Sequence, residues 1–421
     1  MPNIPISALT PLTYTFYDNY DYPGKLAFVS TDTSKLLAAD TLYPERLSLS
    51  NMTKGLVTGN KVRVLGTDKW LTTTTYYNDK SRIIQVVSEN NLGGKDVLTT
   101  LYNFKGAVLS TYLHHQNPKS VTPQSTLLTS MTYDHGGRLL TVRKRLNDNV
   151  SQEKLIASNS YNELGQLRLK RLGVAASGSM LDTLNYTYNI RGCLQGINKN
   201  FVNNGLSTSN WFGQELSYDY GFDSSQYNGN IAGVKWKTRA DSTWAYGYSY
   251  DKARRLTEAH FTQKAGSNWI QNKKDFTVSN LTYDANGNIK SMWQKGMIGT
   301  KIDTIDRLTY SYLPNSNRLS AVADPNRAKT ASAGLGDFID GTNSGNDYFY
   351  DGNGNIVADS NRHISSIKYN HLNLPSVITI AGKGTISYQY DATGVKLSKT
   401  VLNNTGNTPT TTITDYVGIC I

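Results

Sequence analysis

A tyrosine followed by Asp or Asn, a tight turn and an aliphatic strand recurs ten times along this chain. Seven copies carry glycine four residues after the tyrosine: Tyr102/Gly106, Tyr133/Gly137, Tyr161/Gly165, Tyr188/Gly192, Tyr283/Gly287, Tyr350/Gly354 and Tyr390/Gly394. Three keep the frame without it: Tyr77 with Ser81, Tyr250 with Arg254, and Tyr369 with Asn373. Degenerate copies at Tyr218-Asp219 and from Tyr312 to Leu319 fill the wider gaps. Successive anchors lie roughly 20 to 40 residues apart, the period of stacked supersecondary units rather than of a compact enzyme domain.

The copy at Tyr133 shows what each unit does. Leu127, Thr129, Met131 and Tyr133 alternate with other residues, a period of two that suits a strand. Asp134 can accept a hydrogen bond from the backbone N–H two residues on, which favours a turn. Gly137 supplies positive φ without a Cβ penalty, so the chain reverses and a second strand starts at Leu139. Asp251, Asp284, Asp351 and Asp391 hold the same turn position as Asp134. Asn373 tolerates the left-handed region, whereas Arg254 and Ser81 suit it poorly, and their loops are expected to close differently. An isolated hairpin is marginal in water, so the units must stack side by side. The expected fold is all-β: antiparallel hairpins stacked side by side, each burying a face against its neighbours.

Composition agrees. Tyrosines number 28, against 10 Phe and 6 Trp, and Tyr and Thr favour pleated, half-wet surfaces while Asn and Gly favour turns. No long stretch shows a 3.6-residue apolar stripe; Met180 to Leu184 and Pro44 to Met52 are the segments expected to hold a short helix. The net charge of +11 gathers at Arg143-Lys144-Arg145, at Arg168, Lys170 and Arg171, and at Lys235, Lys237 and Arg239. A phosphate-tracking patch is one reading. Charged outward strand faces that protect edges are the preferred one, and no nucleic-acid partner is expected. Cys193 and Cys420 are too few and too far apart for a disulfide framework. No stretch approaches the length of a membrane span, and no signal peptide is visible at Met1 to Ile6.

Residues 1–58 read as an irregular lead-in or cap over the first open edge. Residues 59–421 read as one repeat solenoid. Breaks fall at Gln116 to Gln124, Gly173 to Gly178, Asn203 to Asn210 and Asp324 to Gly345. The last is a long polar loop without a domain boundary, because the repeats resume at Tyr350.

No catalytic, cofactor or metal site emerges. Asp351-Gly-Asn-Gly-Asn355 alternates oxygen ligands like a calcium loop, but Ile356 stands where that loop needs glycine and Arg362 where it needs glutamate. Asp284 to Asn288 has the same fault. His114 and His115 are adjacent on an extended chain and point opposite ways, a poor metal pair; His260, His363 and His371 stand alone. Leu92 to Asp96 lacks the parts of a phosphate loop. A carboxylate pair for glycoside hydrolysis cannot be singled out, so the chain is expected not to be an enzyme.

The heptads Tyr283-Asp-Ala-Asn-Gly-Asn-Ile289, Tyr350-Asp-Gly-Asn-Gly-Asn-Ile356 and Tyr133-Asp-His-Gly-Gly-Arg-Leu139, with Tyr390-Asp-Ala-Thr-Gly394, resemble the YD repeats of the RHS family. That family includes insecticidal toxin-complex components, wall-associated bacterial proteins and the teneurin shell. The likeness covers about residues 60 to 416 of the 421. The wording of Leu184 to Gly192 and Trp211 to Tyr220 is similar to RHS proteins of the Bacteroidetes type. The resemblance implies that the stacked antiparallel hairpins form a spiralling sheet, part of a hollow shell that encloses a polymorphic C-terminal toxin, in a protein secreted or held at the cell surface. It also implies a plug segment with self-cleaving aspartates after the last repeat. Here the chain ends three residues after Gly418, so neither plug nor toxin is expected and no aspartate takes the cleaving role. The alternative is a surface module binding glycans or proteins through Tyr227, Trp236, Trp244, Tyr246 and Tyr248. Self-association through open strand edges is expected in either case.

Overall fold

Side chains that alternate in and out along short polar strands leave no choice but sheet, and strands make up nearly all the regular structure of the described residues. The computed structural model describes residues 9–37, 43–174, 178–204, 210–325, 336–341 and 345–417. Strand Thr13–Asp18 pairs antiparallel with Thr53–Arg63, which pairs with Trp70–Tyr77. From there each strand hydrogen-bonds to the one before it, through Ile83–Glu89, Lys95–Tyr102, Val108–Gln116, Gln124–Tyr133 and Leu139–Leu146. The meander continues to Leu319–Ala323 and makes a sheet of 21 strands. A second meander of seven strands runs from Tyr348–Tyr350 to Thr410–Asp415.

A β-bulge accompanies the repeat. Tyr133 pairs with Leu139, but Thr132 pairs with Thr141, so one strand gains a residue at the tyrosine. The same register step stands immediately before Tyr77, Tyr102, Tyr188, Tyr250, Tyr283, Tyr312, Tyr350, Tyr369 and Tyr390. An extra residue resets the alternation, which places the aliphatic residue after the turn opposite the tyrosine.

Both expected helices are corrected. Met180–Tyr188 is a strand paired with Leu167–Val174, because Leu181, Thr183 and Asn185 alternate and pairing outweighs weak local propensity. Residues 44–52 form an irregular segment whose Glu45 and Ser50 amides bond to the carbonyls of Tyr102 and Tyr77, at 2.8 and 2.9 Å. The described α-helices are the short Ser30–Thr33 and Lys199–Asn204, and a single 3-10 turn stands at Val150–Gln152.

The lead-in folds back over the first strands. Leu26 joins Tyr76, Ile84, Val87 and Val97 in a buried cluster, with Tyr20, Phe28, Val29 and Leu47 packed against it. The Tyr22 hydroxyl meets Thr74 Oγ1 at 2.6 Å, the Tyr76 hydroxyl donates to the Leu26 carbonyl, and Gln85 exchanges two hydrogen bonds with the Val29 backbone. Here residues 20–29 cover one face of the sheet.

Between the two meanders the backbone ladder thins to the bond from the Asp347 N–H to the Ser320 carbonyl at 2.8 Å, and carboxylates supplement it. Val322 and Asp324 would donate to a following strand; their N–H groups bond instead to Asp347 Oδ2 at 2.8 Å and Asp340 Oδ2 at 3.0 Å. Phe338 N–H donates to Asp306 Oδ1 at 2.8 Å, and Arg307 N–H to Asp324 Oδ1 at 3.1 Å. Buried backbone donors demand acceptors, and aspartates supply them where the sheet ends. Much of the predicted polar loop, with Cys420, Met1 to Ile6 and Gly418, lies outside the described residues.

Candidate functional site

The repeated turn is built from a few bonds. Asp134 N–H donates to the Arg138 carbonyl and Gly137 N–H to the Asp134 carbonyl, both at 2.9 Å, while Asp134 Oδ1 accepts from Arg138 N–H at 2.8 Å. Asp351 Oδ1 accepts from the amides of Asn353 and Asn355, both at 2.9 Å; Asp284 does the same toward Asn286 and Asn288, and Asp391 toward Thr393 and Val395. The bond to the amide four residues on escaped the sequence reading, which foresaw only the one two residues on. Gly106, Gly137, Gly165, Gly192, Gly287, Gly354 and Gly394 all take φ between 78° and 92°.

The loops of Ser81 and Arg254 do not close differently. Both residues take positive φ, 58° and 65°, and their amides bond back to Asn78 and Asp251 as in the other copies. The Asn78 and Asp251 side chains clamp the turn, and that clamp tolerates the modest cost of a Cβ in the left-handed region.

Twelve tyrosines join the hairpins to one another. The Tyr102 hydroxyl donates to the Ile83 carbonyl, Tyr133 to Val108, Tyr161 to Leu139, Tyr188 to Leu167, and Tyr250 to Ile231. Tyr283 donates to Leu256, Tyr350 to Leu319, and Tyr390 to Pro375. Tyr77, Tyr218, Tyr312 and Tyr369 complete the series, and every distance lies between 2.6 and 3.0 Å. In most steps the acceptor is the aliphatic residue that opens the second strand of the preceding hairpin. Burial pushes the Tyr133, Tyr250 and Tyr283 hydroxyls above the usual phenol range, which keeps them protonated donors. The ladder also crosses the interruption, through Tyr350 and Leu319.

A second link runs along the same rim. The Arg138 guanidinium lies 4.9 Å from the Tyr161 ring and Arg255 lies 4.6 Å from Tyr283, each bound to its own turn aspartate. Where asparagine replaces arginine, its amide spans instead: Asn288 Nδ2 donates to Asn317 Oδ1 at 2.8 Å, and Asn355 Nδ2 to Asn373 Oδ1 at 3.2 Å. The signal was present as an Arg or Asn directly after the left-handed turn residue, a glycine in three of these four copies and Arg254 in the other.

The rim also meets the opposite end of the ribbon. Val64 bridges Asp391, the Leu65 amide donates to the Tyr390 carbonyl, and the Ala392 amide donates to the Arg63 carbonyl, both at 2.9 Å. Leu65 docks on Tyr390 as Glu45 docks on Tyr102 and Ser50 on Tyr77. Two of these covered tyrosines, Tyr77 and Tyr390, are only 7% and 6% exposed.

The candidate ligand residues are placed as follows. Asp284 and Asp351 turn their oxygens onto amides of their own loops, and those bonds, led by the Asn288 and Asn355 side chains, hold both carboxyls below the usual range. His114 faces Asp32 at 3.6 Å, and His115 bonds to Asp96. Arg143 and Arg145 converge on Glu153, Lys237 lies over Phe201, and Arg239 over Trp211. Among the described residues one carboxylate group comes together that no motif announced: Asp306, Asp324 and Asp337, with oxygens within 4.8 Å of one another. Its members lie far apart in sequence and are joined only by the fold. They are the described residues placed to hold a cation. Burial first, then the two neighbours, pushes Asp337 up to about 6.

No protein-family model and no curated protein matches this sequence. Among solved structures, the chain is similar to one in a Photorhabdus luminescens Tc holotoxin pore, at 13% identity and a TM-score of 0.47, over 89% of this chain and 16% of that one. It is similar to a TcdB2-TccC3 protein without its hypervariable C-terminal region at 14% identity and a TM-score of 0.46, over 86% of this chain and 20% of that one. The chain thus spans a fifth or less of the solved chains it matches. No helix of the described residues is long and apolar enough to cross a membrane.

Proposed function

We propose that this chain is a segment of an RHS-type shell wall that sequesters a passenger polypeptide, in the full protein a C-terminal toxin, by steric enclosure. The observation that carries the reading is the Val64–Asp391 seam, where the ribbon of hairpins returns to its own beginning. A wall needs continuity, and the tyrosine ladder carries on where the backbone bonding between the meanders thins. The heptads are those of the YD repeats. In this reading residues 1–58 cap the first edge, residues 59–421 form the wall, and no catalysis is required of it. A secreted or surface location, and kinship with the Bacteroidetes type, belong to the same proposal.

The adhesion alternative draws less support. Trp236, Trp244, Tyr246 and Phe261 pack on one another with centroids 5.3 to 6.4 Å apart, and the Tyr246 hydroxyl is engaged by the Phe276 carbonyl. Those rings are filling a cluster rather than awaiting a ligand. The enclosure reading is tested by limited proteolysis of a passenger fused after the wall. The passenger should survive in the intact protein and be cut once the seam is broken. Equal cleavage in both would overturn the reading.

A further inference from the structure

The rim notch between the Tyr77 and Tyr102 turns shows what the repeat can hold. Glu45 enters it from an irregular segment of the lead-in. Its amide donates to the Tyr102 carbonyl at 2.8 Å, and its neighbour Pro44 bridges Asn103. Its carboxylate accepts from Arg82 Nη1 at 2.8 Å and also pairs with Lys80. Arg82 directly follows the left-handed turn residue Ser81, and its guanidinium lies 5.9 Å from the Tyr102 ring. It also lies over Gly106, where a Cβ would meet Nη2 at 3.2 Å. At the Tyr390 notch Leu374 holds the place of the arginine, and there the docked residue is Leu65. The side chain after the turn thus matches the residue that docks beside it.

The same arrangement recurs at Arg318 and Tyr350. The Arg318 guanidinium lies 5.8 Å from the Tyr350 ring, and a Cβ on Gly354 would meet its Nη2 at 3.0 Å. The Tyr350 hydroxyl bonds to Leu319 as that of Tyr102 bonds to Ile83. Charge sets this notch apart from its relatives. Arg138 and Arg255 are each neutralised by the aspartate of their own turn. Arg82 has the neutral Asn78 there and takes Glu45 instead. Arg318 has Leu313 at that position, whose amide donates to the Arg318 carbonyl as Asn78 does to Arg82. Arg318 is exposed, and among the described residues no carboxylate pairs with it. Asp351, where the first notch has Asn103, keeps its carboxylate on the amides of its own loop and on Asn355 Nδ2.

A main-chain bond fixes an extended segment, and a charge-assisted bond to arginine selects its side chain. We infer that the Arg318–Tyr350 notch docks one acidic residue of an extended peptide from another polypeptide, its amide on the Tyr350 carbonyl and its carboxylate on Arg318. The inference goes beyond the enclosure reading and does not rest on it.

Saturation-transfer NMR on the full chain tests it. The probe is a capped synthetic peptide with the sequence of residues 43–48, at about 1 mM, the range of a single weak docking contact. The peptide should receive saturation. Its affinity should fall about tenfold in Arg318→Gln, and equally when the peptide's glutamate is replaced by glutamine, because either change removes the charge-assisted bond. Arg191→Gln, at another exposed turn arginine, should leave binding unchanged. Absence of transfer overturns the inference, as does undiminished binding in Arg318→Gln or by the glutamine peptide. A loss in Arg191→Gln as large as that in Arg318→Gln overturns it too, since attraction to general positive charge would then explain the binding. If the chain instead dimerises through Arg318, the occupant is a second copy and the inference falls.

Discussion

At the scale of single residues the turn explains which substitutions the chain tolerates. Gly287 sits at φ 88° with no atom crowding its missing Cβ, so conformation alone decides its cost. Gly287→Val should destabilise by about 1–2 kcal/mol, seen as a lower midpoint in urea. Arg254 occupies the equivalent position at φ 65°. Arg254→Gly should therefore stabilise by a few tenths to about 1 kcal/mol, and a drop in midpoint would contradict the assigned conformation. Tyr283→Phe removes one hydrogen bond and leaves the Leu256 carbonyl without that donor. It should cost about 1 kcal/mol, read as faster amide exchange in the strands on both sides. The turn aspartates and glycines were legible because each does its work within seven residues of sequence, and the tyrosines because they mark the same heptad, although their hydroxyls reach the preceding hairpin. The bulge was not, since a single extra residue leaves no mark in a pattern that already ends at a turn.

At the scale of elements, the interruption between the two meanders is where charge and stability meet. Asp337 holds its proton more tightly in the fold than its ordinary value near 3.8 would allow, with a folded value of about 6. A carboxyl raised in this way contributes stability that is fully present below about pH 4 and is lost as pH rises through about 6. Thermal midpoints should therefore climb as pH falls across that window, by the equivalent of about 1 kcal/mol once partial solvent screening is allowed for. Asp337→Asn should flatten the slope; an unchanged slope would assign it elsewhere. Neither this cluster nor the carboxylates of Asp340 and Asp347 that cap the sheet edge could be read in advance. Sequence patterns report neighbours along a strand, and these aspartates act across a gap. The two helices expected from local composition failed because pairing outweighs propensity: Met180–Tyr188 pairs with the strand just before it, and residues 44–52 bond to the carbonyls of Tyr77 and Tyr102.

At the scale of the whole molecule, repetition made the sheet predictable and left its curvature open. No residue near Val64 announces that it faces Asp391, because the meeting depends on the summed twist of every strand between them. The seam should be cooperative with the wall. Leu65→Pro removes the amide that reaches Tyr390 and should enlarge the scattering radius while leaving strand content by circular dichroism nearly unchanged. A compact, unaltered radius would mean that the seam holds nothing together. The most direct measurement is residue-resolved hydrogen exchange at Leu65 and Ala392 in the intact chain. If tyrosine-marked hairpins form one ribbon curving back onto its start, both amides will be protected to the same degree as central-strand amides such as Val97. If they exchange as fast as the exposed turn amide of Gly66, the ribbon does not meet itself and the wall is open.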